Sequence, residues 1–250
     1  MRPVQTCSVP ESVSALGARV SALHWEAVPA PVAERLGTVL YDVLAANAAG
    51  ARTEGQRAWR AAWPAPPGHS PVVGGRTLTD PVTASWLNGP ATVCLEMDEG
   101  NKYAKGHPAA HVFPAVLSLA ADLDVAGTDL AAALLAGYEV AARFGRATSL
   151  RRGAHPHGNW GVAGAAAGCA RLLGLDAEHT ATRSTPVPTC PSRGISTQPS
   201  TATPCATHGR ARRTGPESQP HASPSPGRRA TPAPPPARSA NCSATSRRKR

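Results

Sequence analysis

Large aromatic side chains are scarce in this chain: five Trp, three Tyr and two Phe in 250 residues. None of them falls within residues 183–250, so that stretch offers no stacking platform for nucleic-acid bases. The six cysteines are Cys7, Cys94, Cys169, Cys190, Cys205 and Cys242. No two of them sit at metal-ligand spacing, which argues against a zinc site. Three lie beyond residue 182, in a segment that reads as unstructured, so a disulfide framework is not expected either. No apolar run reaches the roughly 20 residues of a membrane-spanning helix. The early Arg2 is not followed by a continuous apolar stretch, so no secretory leader is expected. Cytoplasmic residence without a membrane partner is the default expectation. Strand-like alternation is missing too, which points to an all-α chain.

Acidic residues and large apolar ones are missing from one end in particular. Residues 1–182 hold 14 Lys+Arg and 15 Asp+Glu, close to neutral. Residues 183–250 hold 12 Lys+Arg and a single acid, Glu217, a balance of +11. The C-terminal segment also carries 13 of the 26 prolines and no Leu, Met, Phe, Trp or Tyr; Val187 and Ile195 are its largest aliphatics. Such a segment cannot bury enough apolar surface to offset its conformational entropy. Two regions are therefore expected: 1–182, long enough for one core, and 183–250, a disordered, low-complexity basic tail.

Helical periodicity runs through the first region. Val13, Leu16, Val20 and Leu23 mark a helix over 12–24. Val32, Leu36, Val39, Leu40, Val43 and Leu44 mark the buried stripe of another over 31–48. Residues 64–79, rich in Pro and Gly, read as an extended loop. Further helices are expected over 80–89, 108–122 (with Pro114 in its first turn or kinking it) and 130–149. Thr128 or Asp129 would cap the last of these, and Leu130, Leu134, Tyr138, Ala141 and Phe144 would face inward. A helix over 160–173 is dominated by Gly and Ala, so close packing is expected of it. Gly174 would end it and Asp176 would cap one more, which loses its pattern near Thr182.

Two clusters carry chemistry. In the first, Glu96, Asp98, Glu99, Lys102, Lys105 and His107 crowd a turn just before an apolar helix. A solvated turn is the bland reading. The functional reading is acid/base work, because a carboxylate and a histidine in contact acquire separated pKa values; the lysines would hold an anion. In the second, His155 and His157 lie beside Arg151 and Arg152. A pair of loop histidines is the bland reading. No third ligand accompanies them, so metal is disfavoured. Gly158-Asn159 opens the small-residue helix, whose N-terminal N–H groups favour a carboxylate.

Taken in order, these stretches resemble the N-terminal helical domain of the MmgE/PrpD family, which includes 2-methylcitrate dehydratase, cis-aconitate decarboxylase and related epimerases, so dehydration, decarboxylation and epimerisation are the outcomes it implies. The resemblance covers about Leu16 to Thr182. It rests on Asn88-Gly89, on the run from Leu95 to Gly100, on Gly106-His107-Pro108-Ala109, on Gly137-Tyr138-Glu139, on His155-Pro156, and on the Ala-rich helix ending Leu172-Leu173-Gly174-Leu175. It implies proton transfer α to a carboxylate of a small di- or tricarboxylate, with no metal and no organic cofactor. By position, Glu96 falls at an active-site aspartate, and His107 and His155 at two active-site histidines. The roles implied are proton transfer for His155, substrate binding or orientation for His107, and positioning of the histidines for Glu96 and Asp98. Lys102 and Lys105 are candidate carboxylate anchors from their charge alone. A homodimer is also implied. Val93 and Gly100 depart from the family's usual histidine and threonine, so the substrate and the reaction outcome stay open.

The family pattern stops at Thr182, where relatives continue into further pocket walls and a second domain. The composition beyond it is what GC-rich DNA yields out of frame. One codon choice for residues 203–210, shifted by one base, reads His-Thr-Val-Arg-Asn-Ala-Trp-Ala, a family-like string. The expectation is an incomplete helical domain followed by a frameshift-derived tail. The alternative to an active lyase is then an inactive remnant whose tail binds polyanions nonspecifically, without recognising a particular nucleic acid.

Overall fold

The computed structural model describes residues 9–150 and 159–184. Eight α-helices account for most of them: α1 (Val9–Ser21), α2 (Ala30–Gly50), α3 (Glu54–Ala62), α4 (Pro81–Val93), α5 (Pro108–Leu123), α6 (Gly127–Ala147), α7 (Gly161–Leu172) and α8 (Ala177–Ser184). The described region is all-α apart from a two-residue-per-strand hairpin, β1 (Ser70–Pro71) against β2 (Leu78–Thr79). Among the described residues, no helix is long and apolar enough to cross a membrane.

Local chemistry explains most helix ends. Asp80 caps α4, accepting from the Val82 and Thr83 N–H groups at 3.0 Å each. Asp176 caps α8 through the His179 N–H at 2.8 Å, and Gly174, at φ 65°, turns the chain between α7 and α8. The Asp129 and Thr128 expectation was wrong. α6 begins at Gly127 with Ala126 at its N-cap, and no side chain bonds the end. α8 continues two residues beyond Thr182, to Ser184.

Neither the hairpin nor α3 is marked by a period of large apolar residues in the sequence. Two-residue strands carry no period, and tertiary bonds hold them. Ser70 Oγ donates to the Ser118 carbonyl at 2.7 Å, and Thr79 Oγ1 to that of Pro66 at 2.6 Å. Asn88 clamps the hairpin from α4, accepting from the Val73 N–H and donating to the Pro71 carbonyl, both at 3.0 Å. α3 is polar along most of its length. It is anchored by Trp59, which with Trp63 forms an aromatic cluster on Trp86 of α4.

The core lies where α5, α6 and α7 meet. Phe113, Val112, Val116, Ala133 and Ala141 are fully buried there, with Leu36, Val39 and Val43 of α2 on its outer side. On α2 the apolar stripe is narrower than expected, with Val32 and Leu44 exposed. α5 runs unbroken through Pro114. α6 and α7 form the most extensive helix pair, as the small residues of α7 require. A Cβ on Gly137 would stand 2.5 Å from Val112 Cγ1, and one on Gly164 would enter the Gly137 carbonyl. Only glycine allows these backbones so near each other. This packing sets the charged turn against the N-terminal end of α5 and against Tyr138 and Gly145 of α6.

Candidate active site

The charged turn leaves α4 at Val93 and ends at His107, the N-cap position of α5. Asn101 organises it from within. Its Oδ1 accepts from the Tyr103 and Ala104 N–H groups at 2.9 and 3.0 Å, and an antiparallel bridge joins Asn101 to Gly106. Gly145 of α6 lets the Ala104 carbonyl approach; a Cβ there would stand 2.5 Å from that oxygen.

Two of the sequence candidates are brought together. The Asp98 side chain is buried, and its Oδ2 lies 3.1 Å from His107 Nδ1. The same ring nitrogen donates to the Glu99 carbonyl at 2.8 Å. Asp98 beside the ring raises His107 from 6.5 to about 9, outweighing the burial that opposes it. Near neutral pH His107 is therefore an imidazolium, with Nδ1 turned inward and the ring 30% exposed. It stands at the start of α5, where a carboxylate is favoured by both the cation and the helix end.

Glu99 is a second, half-buried carboxylate of the turn. Burial raises its pKa, and three influences oppose that: the Tyr138 hydroxyl, the Ala109 N–H and His107. Tyr138 Oη donates to Glu99 Oε1 at 2.7 Å, and the Ala109 N–H donates to Oε2 at 3.2 Å. Glu99 thereby supplies the cap that His107 does not give α5. Tyr138 also accepts from Asn101 Nδ2 at 3.0 Å. Asn101 and Tyr138 were not among the sequence candidates. The available signal was a Tyr on the apolar face of α6, since a buried phenol needs a partner.

The other candidates sit apart from this pair. Glu96 is exposed at φ 53°, and its carboxylate meets no hydrogen-bond or ion-pair partner among the described residues. Lys102 is exposed. Lys105, also exposed, donates from Nζ to the Thr148 carbonyl at 2.9 Å. His155, His157, Arg151 and Arg152 lie outside the described residues. The chain on either side of them is described: Thr148 meets Lys105, and Trp160 packs edge-on against His111 of α5, with ring centroids 6.0 Å apart. Among the described residues no group of three or more His, Cys, Asp or Glu is placed to hold a metal ion. A cavity of about 310 Å³, lined by Val43, Asn47, Leu117, Ser118 and Leu130 among others, contains none of the candidate residues.

Comparison with known proteins agrees with the motif order. The chain is 30% identical over 167 residues to a cis-aconitate decarboxylase-like protein of Aspergillus oryzae. That alignment covers 61% of this chain and 34% of the relative, so the match spans about a third of the relative's length. Residues 14–215 match the MmgE/PrpD N-terminal domain, a span that continues past the composition change at Thr182. With four-fifths of the chain matched and the Asp98–His107 turn inside that match, this protein belongs to the MmgE/PrpD family.

Proposed function

We propose that the chain carries one side of an acid/base site acting on a small di- or tricarboxylate, as a dehydratase or decarboxylase. The observation that supports this most is the buried Asp98 paired with His107 at the start of α5. A charge pair of that kind at a helix N-terminus suits an anionic substrate whose proton must be moved. The family membership and the name of the fungal relative support the reaction class.

In this reading His155 is the proton-transfer group and His107 binds a substrate carboxylate as an imidazolium. In a dehydration His155 takes the proton α to a carboxylate. The C–H electron pair becomes the double bond, and the β-hydroxyl leaves as water on receiving a proton, for which His107 is the donor. In a decarboxylation the pair released from the C–C bond as carbon dioxide departs is protonated at carbon by His155. Asp98 holds His107, and Glu96 is assigned a positioning role on family position alone. Lys102 and Lys105 are proposed carboxylate anchors; Lys105 would exchange the Thr148 carbonyl for substrate. Homodimer formation and cytoplasmic residence belong to the same proposal.

Turnover of 2-methylcitrate or cis-aconitate, followed by absorbance with the full chain, tests the reading. Activity that is lost in His155→Ala and in His107→Gln supports it. No turnover, together with salt-sensitive retention on a polyanion, favours an inactive chain with a sticky basic segment. A version with the reading frame restored beyond codon 182, assayed beside it, separates an inactive chain from a wrong substrate.

A further inference from the structure

The turn that carries His107 holds two non-glycine residues in the left-handed region, Glu96 at φ 53° and Lys105 at φ 59°. Such conformations persist only where the surroundings impose them. The fastening comes from Glu99. One of its oxygens is held by Tyr138 of α6 and the other by the Ala109 N–H of α5. Tyr138 is held in turn by Asn101, so two points of the turn, Glu99 and Asn101, meet at one hydroxyl. The peptide oxygen of the same Glu99 is the acceptor for His107 Nδ1. Asp98, one residue earlier, presents its carboxylate to that nitrogen. A residue whose side chain is tied at both oxygens has little freedom to move its own carbonyl.

We propose that Glu99 and Tyr138 are positioning residues for His107: the Tyr138–Glu99 clamp fixes the Glu99 carbonyl and the Asp98 carboxylate on Nδ1, so that Nε2 is the ring nitrogen through which His107 reaches a ligand. Neither residue is placed in contact with substrate. The titratable groups around the ring are Asp98 and Glu99 of the turn; Tyr138 of α6 bonds Glu99, and Arg35 of α2 acts on Tyr138 through space. Only the consequence for turnover rests on the function proposed above.

The test is a titration of the full chain labelled with ¹⁵N at histidine, read by long-range ¹H–¹⁵N correlation. In the wild type, His107 should titrate near 9 and, at about pH 10.5, remain protonated on Nδ1. An Nε2–H tautomer there overturns the proposal with no variant required. In Tyr138→Phe, which removes one oxygen, the His107 pKa should fall by about one unit and the Nδ1–H preference should weaken, the other histidines staying in place. A folded Tyr138→Phe with His107 unmoved in pKa and tautomer also overturns it. Where turnover is measurable, Tyr138→Phe should lower kcat about tenfold with little change in KM, and move the alkaline limb of the pH profile by the same unit. If no carboxylate is turned over, the tautomer and pKa still decide the positioning claim, so the two readings fail separately.

Discussion

Replacing Asp98 with Asn removes one charge from the pair at the centre of the site and keeps its shape. The Asp98 side chain is fully buried, and its carboxylate lies 3.1 Å from His107 Nδ1. Pairing lifts His107 from 6.5 to about 9. A raised folded-state pKa adds stability that is complete below the unfolded value and is lost as pH rises through the folded one. The window here therefore runs from 6.5 to about 9. At full strength the shift corresponds to about 3 kcal/mol below the lower limit. Solvent screening of a ring 30% exposed reduces this to about 1–2 kcal/mol. Wild type should therefore be more stable than Asp98→Asn by about 1–2 kcal/mol near pH 6, and the difference should close by about pH 10. Urea denaturation of the full chain at several pH values, followed by circular dichroism, reads that difference. In the variant, His107 should titrate at or below 6.5, because burial lowers it once the carboxylate charge is gone. A stability difference that is flat with pH, or a His107 titration that stays near 9, refutes the pairing.

Three further outcomes are expected. Gly164→Ala should destabilise by roughly 1–3 kcal/mol in urea, because its Cβ enters the Gly137 carbonyl; a gain, as helix propensity alone would give, refutes the close α6–α7 contact. Asn88→Ala should cost roughly 2–3 kcal/mol by leaving the Val73 N–H and the Pro71 carbonyl without their partner, with faster amide exchange across residues 70–79 as the local readout. Lys105→Met removes only a bond from an exposed ammonium to the Thr148 carbonyl, so the urea midpoint should imply a change within about 0.5 kcal/mol. If carboxylate turnover is present, the same variant should raise KM more than it lowers kcat.

The long apolar helices were legible because burial imposes a period on them. Leu134 and Ala141 of α6 and Val112 and Val116 of α5 recur at helical spacing and are buried as that spacing requires. Asp176 at the start of α8 and Gly174 before it were legible as caps, since those residue types satisfy or relieve the helix ends locally. α3 was not, because its anchor is an aromatic contact with Trp86 more than twenty residues away rather than a stripe of its own. The hairpin was not, because two residues per strand carry no alternation and its bonds come from Ser118, Asn88 and Pro66. Val32 and Leu44 lie on the apolar stripe by period yet stay exposed, since a helix face is buried only where a neighbour covers it.

The amino-acid sequence by itself determined the helical class, the order of motifs that marks the family, and the charge asymmetry at Thr182, because composition and period are properties of the chain alone. It also put Glu96, Asp98, Glu99 and His107 within one turn. Which carboxylate faces the histidine was decided only by tertiary structure. Spacing in an irregular turn does not set side-chain direction. That direction follows from the left-handed backbone at Glu96 and from a clamp whose far end, Tyr138, lies 39 residues along the chain from Glu99. The fold thus buries Asp98 against His107 and leaves Glu96 in solvent.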